Sequence, residues 1–177
     1  KKNIICGYVF GLSFNFTAFY WISVNSGADK ITVLGSLFAA VFYLAFFWAG
    51  AGFLFSLFSK EDQYVSGNLF FPFIIVMVEY ARSFGALGFP WSNLALSQSK
   101  YIYFIQFMEV TGTYGVSFVI IGINIVLYNV TQKKISLLKG LSFISLIIVG
   151  LSIAGVGRIL SLPNSNQDIR VAVVQPN

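Results

Sequence analysis

Charge is missing from long stretches of this chain. Residues 4–24 run 21 positions without Asp, Glu, Lys or Arg, residues 31–58 run 28, and residues 101–130 carry only Glu109. Uncharged apolar runs of this length read as membrane-crossing segments, and in lipid the backbone must satisfy its own hydrogen bonds, which calls for helices. The whole chain agrees: 57% of residues are apolar and 10% charged, against about 25% charged in soluble domains. An aromatic content of 18% excludes disorder, and one cysteine excludes a disulfide scaffold. With no histidine and only Cys6, a Cys/His metal site or Cys-His catalytic pair within the chain is excluded, and no cofactor is expected.

The expected fold is all-α, a polytopic transmembrane bundle of five spans at residues 4–24, 31–58, 69–87, 114–130 and 135–156. The run 101–130 would measure about 45 Å as one helix, too long for a simple crossing. Thr111-Gly112-Thr113 is the natural break, leaving 101–110 as an interfacial helix. Gly7 and Gly11 form a small-residue pair that lets another helix approach closely. Tyr20 and Trp21 suit an interfacial aromatic belt, and Lys139 can snorkel from the start of the fifth span.

With the N-terminus inside, Lys1, Lys2, Lys60, Lys133, Lys134 and Lys139 fall on the inner side, and Lys30, Lys100, Arg158 and Arg170 on the outer. Basic residues concentrate inside, so this bias favours that orientation and an outward C-terminus. The net charge of +5 is spread through the gaps between spans, which argues against nucleic-acid binding. Residues 1–160 form the membrane region and 161–168 a polar linker. Residues 169–177 begin a soluble domain: Ile-Arg-Val-Ala-Val-Val at 169–174, bounded by Gln-Pro-Asn, reads as its first, buried strand. Six residues of strand cannot stand alone, so the chain is expected to be part of a longer one.

Glu79 and Arg82 sit three apart on the third span, share a face and are expected to pair. Ionisable groups inside a membrane mark function, or fix a helix in its bundle. Gly88-Phe89-Pro90-Trp91 follows, where Pro90 stops the helix and Trp91 supplies an amphipathic plate, as an interfacial anchor or as a cavity wall. Gln98, Gln106 and Glu109 add polar groups on the same side. Asn15 and Asn124 are expected to bond between helices, and Cys6 to be a small buried hydrophobe.

Taken in order, Glu79-Tyr-Ala-Arg82, Gly88-Phe-Pro-Trp91, Ser97-Gln98, Gln106, Gly112-Thr-Tyr-Gly-Val-Ser-Phe118 and Asn124 resemble the apolipoprotein N-acyltransferase family. The tail 170–177 is similar to the first strand of that family's nitrilase-like domain. The resemblance implies transfer of a phospholipid acyl chain to the N-terminal cysteine amino group of an apolipoprotein carrying a diacylglyceryl-cysteine. It implies a thioester on a Cys, with Glu as general base and a supporting Lys, all in the nitrilase-like domain outside the bacterial cytoplasmic (inner) membrane. None of these three has a matching position here, so no catalytic residue is assigned. Gly88, Phe89, Pro90, Trp91, Glu79, Arg82, Gln98 and Gln106 are the expected substrate-binding residues, with Gly88–Trp91 bordering a lipid-accessible cavity. The expected partners are the phospholipid acyl donor, the apolipoprotein and membrane lipids.

Two other readings stand beside this one. A transporter or channel fragment would show internal repeats and polar groups at the midplane, and neither is present. A membrane anchor for another nitrilase-like or amidase domain would share the same spans.

Overall fold

A computed structural model describes residues 1–58 and 64–162. It comprises α1 (Lys2–Phe19), a 3₁₀ turn (Tyr20–Val24), α2 (Lys30–Phe58) and α3 (Tyr64–Arg82). Three further 3₁₀ turns follow, Pro90–Ser92, Leu94–Gln98 and Phe104–Phe107, then α4 (Met108–Thr131) and α5 (Leu137–Leu160). Among the described residues every regular element is helical, as the charge-free runs require. The expected strand at 169–174 lies outside the described residues.

Helix ends follow the groups that can close or break the backbone ladder. Asp29 caps α2: one carboxylate oxygen accepts the Thr32 amide at 2.9 Å and the other the Thr32 hydroxyl at 2.7 Å. Ser136 caps α5 by accepting the Lys139 amide. The third expected span reached residue 87, but α3 ends at Arg82. Gly85 takes a φ of +82°, and the Phe89 amide turns back to donate to the Arg82 carbonyl at 2.9 Å. The break foreseen at Thr111-Gly112-Thr113 is present, with Gly112 at φ 65° and ψ −173° inside α4. The segment before it is a 3₁₀ turn running into the first residues of α4, rather than a separate helix over 101–110.

α1 and α2 form the most extensive helix pair. Gly7 faces the Trp48 carbonyl and Gly11 the Ala45 backbone, so a side chain at either would overlap α2. Trp48 fills the space beside them, edge-on to Phe10 at 4.9 Å and Phe14 at 5.2 Å. α3 packs against α2 and α4 through a core of Trp48, Ala51, Ile74, Ile75, Val78 and Ile121.

Two expected polar contacts between helices are absent. Asn15 is buried but donates to Gly11 of its own helix, and Asn124 is exposed and donates to Ile120 of its own helix. An amide so placed reaches the carbonyl one turn back more readily than a neighbouring helix. Cys6 lies on the exposed side of α1 rather than in the core, because Gly7 and Gly11 take the face toward α2.

Large apolar side chains cover the outside of the bundle: Phe46, Phe73, Leu138 and Leu146 are all exposed. Four helical stretches, Lys2–Val24, Lys30–Phe58, Phe104–Thr131 and Leu137–Leu160, are long and apolar enough to cross a membrane. α3, which corresponds to the third expected crossing, is not among these four.

Candidate functional site

α3 ends in two buried charges, and the loop after it is built around them. Arg82 is 1% exposed and Glu79 2% exposed. They do not form the direct ion pair their spacing suggested; each reaches instead for the loop. Arg82 Nη2 donates to Asn93 Oδ1 at 2.8 Å, and Glu79 Oε1 accepts the Leu94 amide at 2.7 Å. Ser117 of α4 accepts the next amide, that of Ala95, at 3.2 Å. Three consecutive residues, Asn93, Leu94 and Ala95, are thus pinned from two helices by buried groups. The bonds of Arg82 and Glu79 are charge-assisted and so of the stronger kind; that of Ser117 is between neutral groups. Glu79 Oε2, Arg82 Nε and Ser92 Oγ are buried with no hydrogen-bond partner among the described residues.

The loop fixed in this way carries Gly88, Phe89, Pro90 and Trp91. Gly88 is tightly enclosed: a Cβ there would lie 2.7 Å from the Ser83 carbonyl oxygen. Pro90 begins a 3₁₀ turn, where its missing N–H costs nothing. Phe89 points inward, edge-on to buried Phe19 at 5.0 Å. Trp91 stays 63% exposed and stacks on Trp21 at 6.3 Å with the rings 18° apart. The result is an aromatic corner at the end of α1, with rigid support beneath it and two indoles outward.

The remaining expected site residues lie elsewhere. Gln98 donates to Ser97 and lines a cleft of about 710 Å³ between α4 and α5, which none of Gly88–Trp91 touches. Gln106 donates to the Ile102 carbonyl and lines a smaller crevice beside Glu109 and Arg158. Glu109 pairs with α5: Arg158 clasps its carboxylate with two nitrogens, Nη2 at 2.7 Å. Asn93 and Ser117 were not singled out from the sequence as site residues. No local spacing marks Asn93, whereas Ser117 stands within the Gly112–Phe118 motif.

The family model for the apolipoprotein N-acyltransferase N-terminal domain matches residues 1–126. The chain belongs to this family. The matched residues take in the polar knot, the aromatic corner and the Gly112 break, and stop short of α5. Curated relatives carry the match further. The apolipoprotein N-acyltransferase of Rickettsia prowazekii is 34% identical over 97% of this chain and 35% of its own length. That of Geobacter metallireducens is 29% identical over 100% of this chain and 35% of its own. That of Coxiella burnetii is 32% identical over 97% and 36%. The chain therefore spans about a third of the length of the relatives it matches. No solved structure matches it. Family membership and four apolar helices of spanning length make this a multi-pass membrane protein.

Proposed function

We propose that the whole protein transfers an acyl chain from a phospholipid to the N-terminal cysteine amino group of an apolipoprotein, and that this chain is part of its membrane region. The family match over residues 1–126 carries the reading, and the relatives' name, apolipoprotein N-acyltransferase, supports acyl transfer to an apolipoprotein; the phospholipid donor and the cysteine acceptor are part of the proposal. Residues 1–160 anchor the enzyme in the bacterial inner membrane, with α3 as a fifth crossing. Residues 161–168 link them to a nitrilase-like domain that begins at 169–177 on the outer side and holds the catalytic Glu, Lys and Cys. On this reading Cys6, on α1 and outside that domain, is not the thioester nucleophile, and the membrane region by itself transfers no acyl chain.

Within this reading the aromatic corner borders the entry of the lipid. The buried bonds to Asn93, Leu94 and Ala95 support it, because they fix the loop that aims Trp91 outward. An interfacial anchor needs only an amphipathic aromatic, whereas a cavity wall needs the size and shape of the indole. Thioester formation and transfer to the apolipoprotein, measured separately in the complete enzyme, test this. Trp91→Tyr and Trp91→Ala should both fold in normal yield and turn over poorly. Full activity for Trp91→Tyr, with Trp91→Ala failing only by misfolding, would reduce Trp91 to an anchor.

A further inference from the structure

We propose that the cleft between α4 and α5 is a second lipid site, which holds an acyl chain of a membrane phospholipid. The proposal does not depend on the acyl-transfer reading. It begins with why the two helices fail to close on each other. At the Thr131–Ser136 connection they meet tightly: Gly140 of α5 sits against the side chains of Val130 and Val126. Toward the other end the chain before α4 comes between them. Gly155 of α5 is overlaid by the Tyr103 carbonyl and the Gln106 side chain, and α5 touches the 3₁₀ turn Phe104–Phe107 far more than it touches α4. The pair is therefore a V with its apex at the connection and a wedge in its mouth, held there by the Glu109–Arg158 clasp.

The opening of the V measures about 710 Å³, within the ordinary range for ligand pockets. Ile120 and Ile123 with Asn124 form one wall, and Ile148, Val149, Ile153 and Val156 with Ser152 the other, so the lining is mostly apolar with one amide and one hydroxyl. Val149 and Ile153 are exposed, so the cleft opens sideways and is not sealed by the other described helices. Both walls belong to helices long and apolar enough to cross a membrane, which matches the opening to hydrocarbon depth. An apolar cleft facing acyl chains is filled by one of them, since unfilled space forfeits its dispersion contacts.

The mouth fits the polar end of the same molecule. Tyr101 and Tyr103 are exposed there, as expected of aromatic residues at headgroup level. Gln98 offers an amide beside them. Lys100, adjacent to Tyr101 in the chain, is exposed and forms no ion pair among the described residues. A cation at this level is complementary to a lipid phosphate, and apolar walls below are complementary to its tail.

The test uses the complete protein in nanodiscs of phosphatidylethanolamine and phosphatidylglycerol, with a trace of phosphatidylcholine bearing a diazirine on one acyl chain. After irradiation, adducts are mapped by peptide mass spectrometry. They should concentrate on residues 120–124 and 148–153. Ser152→Trp, which fills the cleft from α5, should remove most of them while leaving adducts at the exposed Phe42 and Phe46 of α2 unchanged. Ile123→Trp, which fills it from α4, should do the same, and Ser152→Ala should behave as wild type. Adducts spread evenly over all exposed faces, or insensitive to both tryptophans, would overturn the proposal. So would an unlabelled cleft, which would mean that another segment of the protein covers it. The readout needs no turnover, so failure of the acyl-transfer reading would leave it standing.

Discussion

Arg82 and Asn93 are joined by a buried hydrogen bond of 2.8 Å across eleven residues, and the loop between them carries the aromatic corner. Cutting it should be costly. Leaving a buried charged donor without its acceptor costs about 1–3 kcal/mol or more, so Asn93→Leu should lower thermal stability in detergent by that order. Arg82→Met should cost more, because it strips Glu79 of the nearby cation. The double variant should lose less than the sum of the two. Strictly additive losses would show that the two side chains do not interact.

Glu79 and Arg82 can be separated by chemistry. Glu79→Gln keeps an oxygen for the Leu94 amide but removes the charge that balances Arg82. Removing one partner of a directly bonded buried ion pair costs about 3–5 kcal/mol, which bounds the effect for two buried charges that are neighbours without a direct bond, and replacing both can be near neutral. Glu79→Gln alone should therefore destabilise clearly, and Glu79→Gln with Arg82→Met should recover part of the loss. No recovery would mean that each residue acts only through its own bond to the loop.

The wedge between α4 and α5 predicts a contrast between two glycines. Gly155→Ala would press a methyl group into the Tyr103 carbonyl, whereas Gly157→Ala meets nothing within 4 Å. Overpacking should cost Gly155→Ala about 1–3 kcal/mol. Gly157→Ala should be neutral or gain up to about 1 kcal/mol from helix propensity. Thermal unfolding in detergent compares them directly, and equal effects would count against a tight wedge. Gly112→Ala is a third case: it has space around it, but its backbone angles are nearly exclusive to glycine, so it should lose about 1–3 kcal/mol through strain.

The Thr32 hydroxyl and amide hold the Asp29 carboxyl below the usual carboxylate range. A group whose pKa falls on folding stabilises the fold above its unfolded pKa, and loses that contribution as pH falls through the folded one. The stability difference between wild type and Asp29→Ala should thus be constant at neutral pH and shrink on acidification. A difference that stays flat to well below the carboxylate range would remove the charge from the cap.

Topology can be read with reporters active on one side of the membrane only, placed after Lys30, Lys100 and Gln132. The expected order is outside, outside, inside. Lys100 on the inside would mean that α3 does not cross.

Features carried by neighbouring residues were legible in the sequence. Charge-free runs gave the helices, and a glycine between two threonines gave the break in α4. The end of α3 was set five residues too far, because 69–87 stays apolar past Arg82 and hydropathy does not register the left-handed Gly85 that stops the helix. Spacing made Glu79 and Arg82 look like partners, since three residues place two side chains on one helix face. It could not show a loop arriving beside them with Asn93 and the Leu94 amide. The same limit hid the Glu109–Arg158 clasp: periodicity reports which face a residue occupies, not which distant helix will come to lie against it.

The clasp also imposes an order on how the protein is made. Glu109 leads α4 into the membrane, but its counter-charge is translated 49 residues later, near the end of α5. Until then the carboxylate has no cation and the turn Phe104–Phe107 has no Gly155 surface to rest on. The corner formed by 101–111 can rest on α4 through Phe104 and Val116 as soon as α4 is made, but its joint to α5 closes only when Gly155 and Arg158 have been added.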